Sequence, residues 1–110
     1  MIDYNNRRFR TLRNSESGEV SDATTFHYYQ DGKVLWAEYA GGLIVKGHII
    51  GTVSSSGEID MAYQHLNSAG ELRTGTCHSV PERLADGRLI LNEYWQWTNG
   101  ESGTSLIEEF

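Results

Sequence analysis

The side chains with the most capacity for chemistry in this sequence are Glu38, Glu93, His65, Arg73, Cys77, Tyr63 and the tryptophans Trp36, Trp95 and Trp97. In the run Arg88-Leu-Ile-Leu-Asn-Glu-Tyr-Trp-Gln-Trp97, a period of two sends Leu89, Leu91, Glu93, Trp95 and Trp97 to one side, with Arg88, Ile90, Asn92, Tyr94 and Gln96 opposite. Two tryptophans and a carboxylate on one strand face suit the lining of a β structure. Burying that carboxylate alone is costly, so a cation or hydrogen-bond donor is expected beside it.

Three readings of the group Glu38, His65, Arg73 and Glu93 stand side by side. It is an ion network that fixes strand register, with Arg73 forked onto a carboxylate and His65 opposite it. It is a polar anchor for a small ligand in an aromatic cavity, with Trp36, Glu38, Tyr63, His65, Arg73, Glu93 and Trp95 as the binding residues. Or Glu38 and Glu93 form an acid–base pair, which requires both to line one open cleft. The tryptophans are either stacking platforms or core filling.

Other chemistries are set aside. Cys77 and His78 are adjacent, so in a strand they face opposite ways and form neither a nucleophile–base pair nor a joint metal site. His27, His48, His65 and His78 lack metal-ligand spacing, and of these His65 alone is expected to point inward. No Walker-type glycine loop and no Gly-x-Ser-x-Gly elbow occurs. No metal or cofactor is expected.

The elements that position these groups are strands. Strand-like runs at 7–13, 23–29, 33–40, 43–53, 58–67, 71–80, 88–98 and 104–110 alternate with turn signals at 14–22, 31–32, 41–42, 54–57, 68–70, 81–87 and 99–103. Residues 82–86 suit one helical turn after Pro81. Turn chemistry carries the faces from hairpin to hairpin. Gly41-Gly42 as a two-residue loop sets Ala40 against Leu43, placing Trp36 and Glu38 on the face of Leu43, Val45, Gly47, Ile49 and Gly51. A type I turn with a glycine bulge at 54–57 sets Val53 against Ile59 and turns Ile59, Met61, Tyr63 and His65 inward. The same turn at 68–70 sets His65 against Arg73 and Leu66 against Leu72, followed inward by Gly75, Cys77 and Ser79. Applied at 30–32, it sets Tyr28 against Val34. Thr24 is also expected near the polar group. Gly47 and Gly51 relieve crowding opposite the rings or let the sheet bend.

Closing the first strand onto the last removes two sticky edges. The expected architecture is therefore all-β, an antiparallel up-and-down meander barrel of about eight strands, spanning 1–110 as a single domain. A flattened sandwich is the alternative. The 110 residues carry a net charge of −6, which argues against a nucleic-acid surface, and the arginines Arg7, Arg8, Arg10 and Arg13 alternate between faces. One cysteine excludes an internal disulfide, and no run suits a signal peptide or membrane span, so a cytoplasmic location is expected. Tyr39, Ile44, Ile50 and Leu66, read as outward, would make an apolar patch for a homodimer.

The segments Phe26-His-Tyr-Tyr-Gln30, Val34-Leu-Trp-Ala-Glu-Tyr-Ala-Gly-Gly42, Gly47-His-Ile-Ile-Gly51, Gly75-Thr-Cys77, Asp86-Gly-Arg88, Glu93-Tyr-Trp-Gln-Trp97 and Ser105-Leu-Ile-Glu-Glu109 together resemble small bacterial proteins with lipocalin-like, calycin-type barrels. The resemblance covers nearly the whole chain and implies a barrel and, by analogy with lipocalins, carriage of a small ligand. Such proteins are sometimes labelled N-acetylglutamate synthase. The residues do not support that activity, because the Arg/Gln-x-x-Gly-x-Gly/Ala loop that holds a CoA pyrophosphate at a helix N-terminus is missing. The leading expectation is a small-ligand-binding barrel. An interaction module acting through dimerisation of a filled barrel is the second, and a small enzyme the third.

Overall fold

The computed structural model describes residues 2–15 and 18–110. All regular structure among the described residues is β: Arg7–Asn14 (β1), Thr25–Asp31 (β2), Val34–Gly41 (β3), Ile44–Val53 (β4), Ile59–Asn67 (β5), Leu72–Arg83 (β6), Leu89–Trp97 (β7) and Ser102–Glu109 (β8). Each strand pairs with the next, and β8 returns to β1, closing an eight-strand antiparallel barrel. The expected meander order and closure hold, and each expected run overlaps one strand, with β2 lying two residues later than expected and β6 running on to Arg83. The expected turn at 14–22 includes residues 16 and 17, which lie outside the described residues.

Four hairpins share one turn device. At Ser54, Asn67, Leu84 and Trp97 the backbone carbonyl accepts from Gly57, Gly70, Gly87 and Gly100, at 2.9–3.0 Å, and each glycine has positive φ. This is the type I turn with a left-handed bulge read from the sequence at two of the four sites. Gly87 isolates the backbone contribution, since a Cβ there meets nothing within 4 Å while φ is +92°. Gly87→Ala is therefore expected to cost about 1–2 kcal/mol through backbone conformation alone, measurable by urea unfolding. No helical turn forms at 82–86. Strand β6 instead continues through Pro81 to Arg83, past its last β5 pair at Ser79, where that edge has no ladder to lose a donor from.

Register decides the faces, and two expected registers are corrected. The β2–β3 loop is Gly32-Lys33 between Asp31 and Val34, so Tyr28 pairs with Ala37 instead of Val34. The β3–β4 pairing begins at Gly41 with Ile44, and a bulge at Val45 precedes Gly47 opposite Tyr39. Each change is odd, so each inverts a face, and together they cancel. Only β3 and the start of β4 end up turned over. Leu35, Ala37 and Tyr39 point in, while Val34, Trp36, Glu38, Leu43 and Val45 point out. Everything from Gly47 onward keeps the expected face: Ile49, Val53, Ile59, Met61, His65, Cys77, Ser79, Leu89, Leu91, Glu93, Trp95 and Trp97 are buried. The expected pairs Val53↔Ile59, His65↔Arg73 and Leu66↔Leu72 are all present. A bulge at Leu12 also turns Arg13 out beside exposed Arg8 and Arg10, correcting their expected alternation, and Arg7 forks onto Glu109 at 2.9 Å.

The two barrel ends are sealed differently. At one, Tyr4 packs on Tyr28 and donates its hydroxyl to the Gly57 carbonyl, with Phe9, Leu35, Ile59 and Leu89 buried in the core it joins. That end is apolar. At the other, Gly18, Glu19 and Val20 lie across the mouth, and there the interior becomes polar.

Candidate functional site

Alternation along β7 brings Glu93 into the barrel between Leu91 and Trp95. Its partners are neutral: the Ser79 hydroxyl donates to Oε2 at 2.8 Å, the Ser105 hydroxyl to Oε1 at 3.3 Å, and the Cys77 thiol approaches Oε2 at 3.9 Å. Burial dominates those bonds and pushes the carboxyl up to about 7. The same burial, with the Glu93 charge next in weight, pushes the Cys77 thiol well above its ordinary range, so it is an inert thiol rather than a nucleophile.

Above Glu93 is a cavity of about 50 Å³ lined by Phe26, Tyr39, Ile49, Met61, Tyr63, His65, Cys77, Trp95, Trp97 and Ser105. At roughly 10–15 Å³ for each water, it holds a few waters and no more. Its walls are aromatic edges: Trp97 meets Tyr63, His65 and Trp95 in tilted contacts at 5.3–5.8 Å. Three glycines let these rings sit where they do. A Cβ on Gly47 would meet the Tyr39 ring, one on Gly75 would meet the Tyr63 hydroxyl, and one on Gly103 would meet Trp95. The Tyr63 hydroxyl is buried with no hydrogen-bond partner among the described residues.

The cavity is roofed by Gly18, Glu19 and Val20. The Glu19 carboxylate accepts from His65 Nε2 at 2.7 Å, Asn67 Nδ2 at 3.0 Å and Arg73 Nη1 at 3.2 Å. Burial alone would raise its pKa; the bonds from His65 and Asn67, with the Arg73 charge, outweigh that and hold it below the usual carboxylate range. The protonated Tyr39 hydroxyl donates to His65 Nδ1 at 2.8 Å, leaving Nε2–H aimed at Glu19. Arg73 lies over Trp97, 4.2 Å from the ring centroid.

Of the residues expected to form the site, Tyr63, His65, Arg73, Glu93 and Trp95 converge on this end of the barrel. Trp36 and Glu38 do not: both sit on the outer wall, because β3 is turned over. Glu38 and Glu93 share no cleft, which removes the acid–base pair. The expected partnership of Glu93 with Arg73 and Glu38 is likewise replaced, Arg73 serving Glu19 and Glu93 resting on hydroxyls. Thr24, expected near the polar group, is buried at the mouth and donates to the Gly41 carbonyl at 3.0 Å. Sequence reasoning missed Tyr39, whose inward face followed from the same register change, and Glu19, which lies in a connection without periodicity. His78 faces outward between Asp60 and Glu58 at 2.7 and 2.8 Å, opposite to Cys77 as expected.

A closed eight-strand meander sealed at one end, with an aromatic and polar pocket at the other, belongs to the calycin class of small barrels. The chain is a member of a particular family in that class: residues 2–110 match the family model described as Avidin-like protein. No curated protein and no solved structure matches it.

Proposed function

We propose that this barrel binds a small, partly apolar molecule in the pocket above Glu93, with its hydrogen-bond donors on the carboxyl and its body between Trp95, Trp97 and Tyr63. The observation that carries the reading is Glu93 itself. A carboxyl buried without a cation, in the wall of a cavity, is a liability for stability and a natural receptor for N–H groups. The Tyr63 hydroxyl, buried in the same cavity with no hydrogen-bond partner among the described residues, supports the same reading, as does membership of the Avidin-like family.

The ligand class is a urea, amide, amidine or amine of few heavy atoms. Native mass spectrometry and tryptophan fluorescence against a panel of such compounds tests it. A bound compound should quench or shift Trp95 and Trp97 emission, and Glu93→Gln should weaken it about tenfold or more, the loss of one charge-assisted bond. Absence of binding across the panel, or affinity indifferent to Glu93, overturns the proposal.

A second reading is favoured by the outer wall. Tyr29 stacks on Trp36 at 5.8 Å and Ile50, paired with Trp36, is 65% exposed. This patch replaces the expected one, since Tyr39 and Ile44 are buried while Ile50 and Leu66 are outside. Self-association through it predicts a sedimentation coefficient that rises with concentration and reverts to monomer in Ile50→Lys. A concentration-independent monomer removes this reading.

A further inference from the structure

We infer that His65, Asn67 and Arg73 form a carboxylate-binding site at the barrel mouth, which the chain fills with its own Glu19 and which small organic carboxylates compete for. The inference deepens the proposed function by naming a charged end for the ligand, and rests on that reading only for where the rest of the ligand goes.

Each donor is positioned by contacts that do not involve Glu19. His65 is oriented by the Tyr39 hydroxyl and by its edge contact with Trp97. Asn67 is fixed by its own turn, its Oδ1 accepting from the backbone N–H groups of Ala69 and Glu71 at 3.1 and 2.9 Å and its Nδ2 also donating to Glu71. Arg73 rests over the Trp97 ring, 4.2 Å from its centroid. All three stand on the paired strands β5 and β6. The receptor is therefore built before Glu19 arrives, as a binding site is and an incidental ion pair is not.

Glu19 comes from the longest connection between strands, residues 15–24. Among the described residues, the bonds that flank Glu19 are Gly18 N–H to the Ser15 carbonyl at 3.0 Å and Asn14 Nδ2 to the Val20 carbonyl at 2.8 Å, while Ser15 and Thr24 tie the ends of the connection to Thr104 and Gly41. The donor set is the chemistry of carboxylate recognition, one N–H on one oxygen and two on the other, with the Arg73 guanidinium among them. The site also opens onto the cavity, since Glu19 and His65 both line it. A carboxylate arriving from solvent makes the bonds that Glu19 releases, so exchange leaves no buried donor unpaired.

The test is competition with benzoate and acetate on the full chain. Glu19→Ala empties the site, and Glu19→Gln serves if the alanine variant folds poorly. Titration followed by nuclear magnetic resonance should shift the His65 ring and Asn67 side-chain signals, with affinity at least tenfold higher in the Glu19 variants than in wild type. Adding Arg73→Met should abolish the gain. No shift in any Glu19 variant, or equal affinity in variant and wild type, overturns the inference. Failure of the interior reading is distinguishable: it silences Glu93-dependent binding of donor compounds while leaving benzoate at His65, whereas the reverse pattern sinks this inference alone.

Discussion

Gly47→Ala is expected to destabilise the barrel by about 3 kcal/mol. A Cβ at position 47 comes within 2.4–2.6 Å of the Tyr39 ring carbons, and that ring faces it across the β3–β4 pair. The ring has nowhere to go. It is buried, stacked on Phe26 at 5.2 Å and hydrogen-bonded through its hydroxyl to His65. Overpacking of a well-filled core costs about 1–3 kcal/mol by itself. Expelling Tyr39 adds the loss of its buried contacts and leaves His65 without its orienting donor. Urea unfolding gives the magnitude, and a double-mutant cycle gives the cause. In a Tyr39→Leu background the added methyl meets no ring, so the two changes should couple by more than 1 kcal/mol. Additive costs would mean that position 47 is intolerant for some reason other than this ring.

The second large effect is electrostatic. Burial pushes the Glu93 carboxyl up to about 7 in the folded barrel, from 4.5 for a free glutamate. Between those values the folded chain holds a proton that the unfolded chain has released. Stability therefore falls as pH rises through that window, by about 3 kcal/mol at 1.36 kcal/mol per pKa unit, and is flat with respect to this group below 4.5 and above 7. Glu93→Gln removes the titration while keeping an acceptor for one of Ser79 and Ser105 and offering an N–H to the hydroxyl of the other. The stability of wild type minus that of Glu93→Gln should accordingly decline from pH 4.5 to 7. Taking the difference cancels groups common to both proteins, among them His78, whose pKa is raised by its bonds to Asp60 and Glu58. Urea melts at several pH values read this directly. A difference that stays level would mean that Glu93 ionises as freely inside the barrel as outside, and the argument for a ligand that satisfies it would lose its basis. The same measurement in saturating ligand should show a smaller decline, because a donor or cation on Glu93 lowers its pKa.

Both effects come from residues whose face the sequence assigned correctly by local means. Glu93 follows from strict alternation through Leu89, Leu91, Trp95 and Trp97, and Gly47 from its parity with Ile49, Gly51 and Val53. The glycine-bulge turns at Ser54–Gly57 and Asn67–Gly70 then carried that parity through β5 and β6, giving His65 opposite Arg73. Where the local signal was ambiguous, the reading failed. Two adjacent glycines fit a two-residue loop in either of two frames, and nothing in Leu43-Ile-Val45 announces a bulge. Trp36 and Glu38 were accordingly placed inside, and Tyr39 outside. An aromatic-rich strand such as β3, with Trp36 and Tyr39 an odd number of positions apart, offers apolar residues to both faces and so gives hydrophobicity no purchase on register.

The sequence by itself determined the strands, their meander order, the closure of β8 on β1 and the inward face of five strands, because periodicity and turn glycines are local and each is repeated many times along the chain. Tertiary structure alone decided what the polar interior is. The partner of Arg73 and His65 is Glu19, more than 40 positions away in a connection with no periodic pattern, and the partners of Glu93 are two serine hydroxyls in place of a charge. Which carboxylate meets which donor depends on how the strands tilt and where the mouth connection comes to rest. Those are properties of the closed barrel, in which residues remote in sequence become neighbours only after every register has been set.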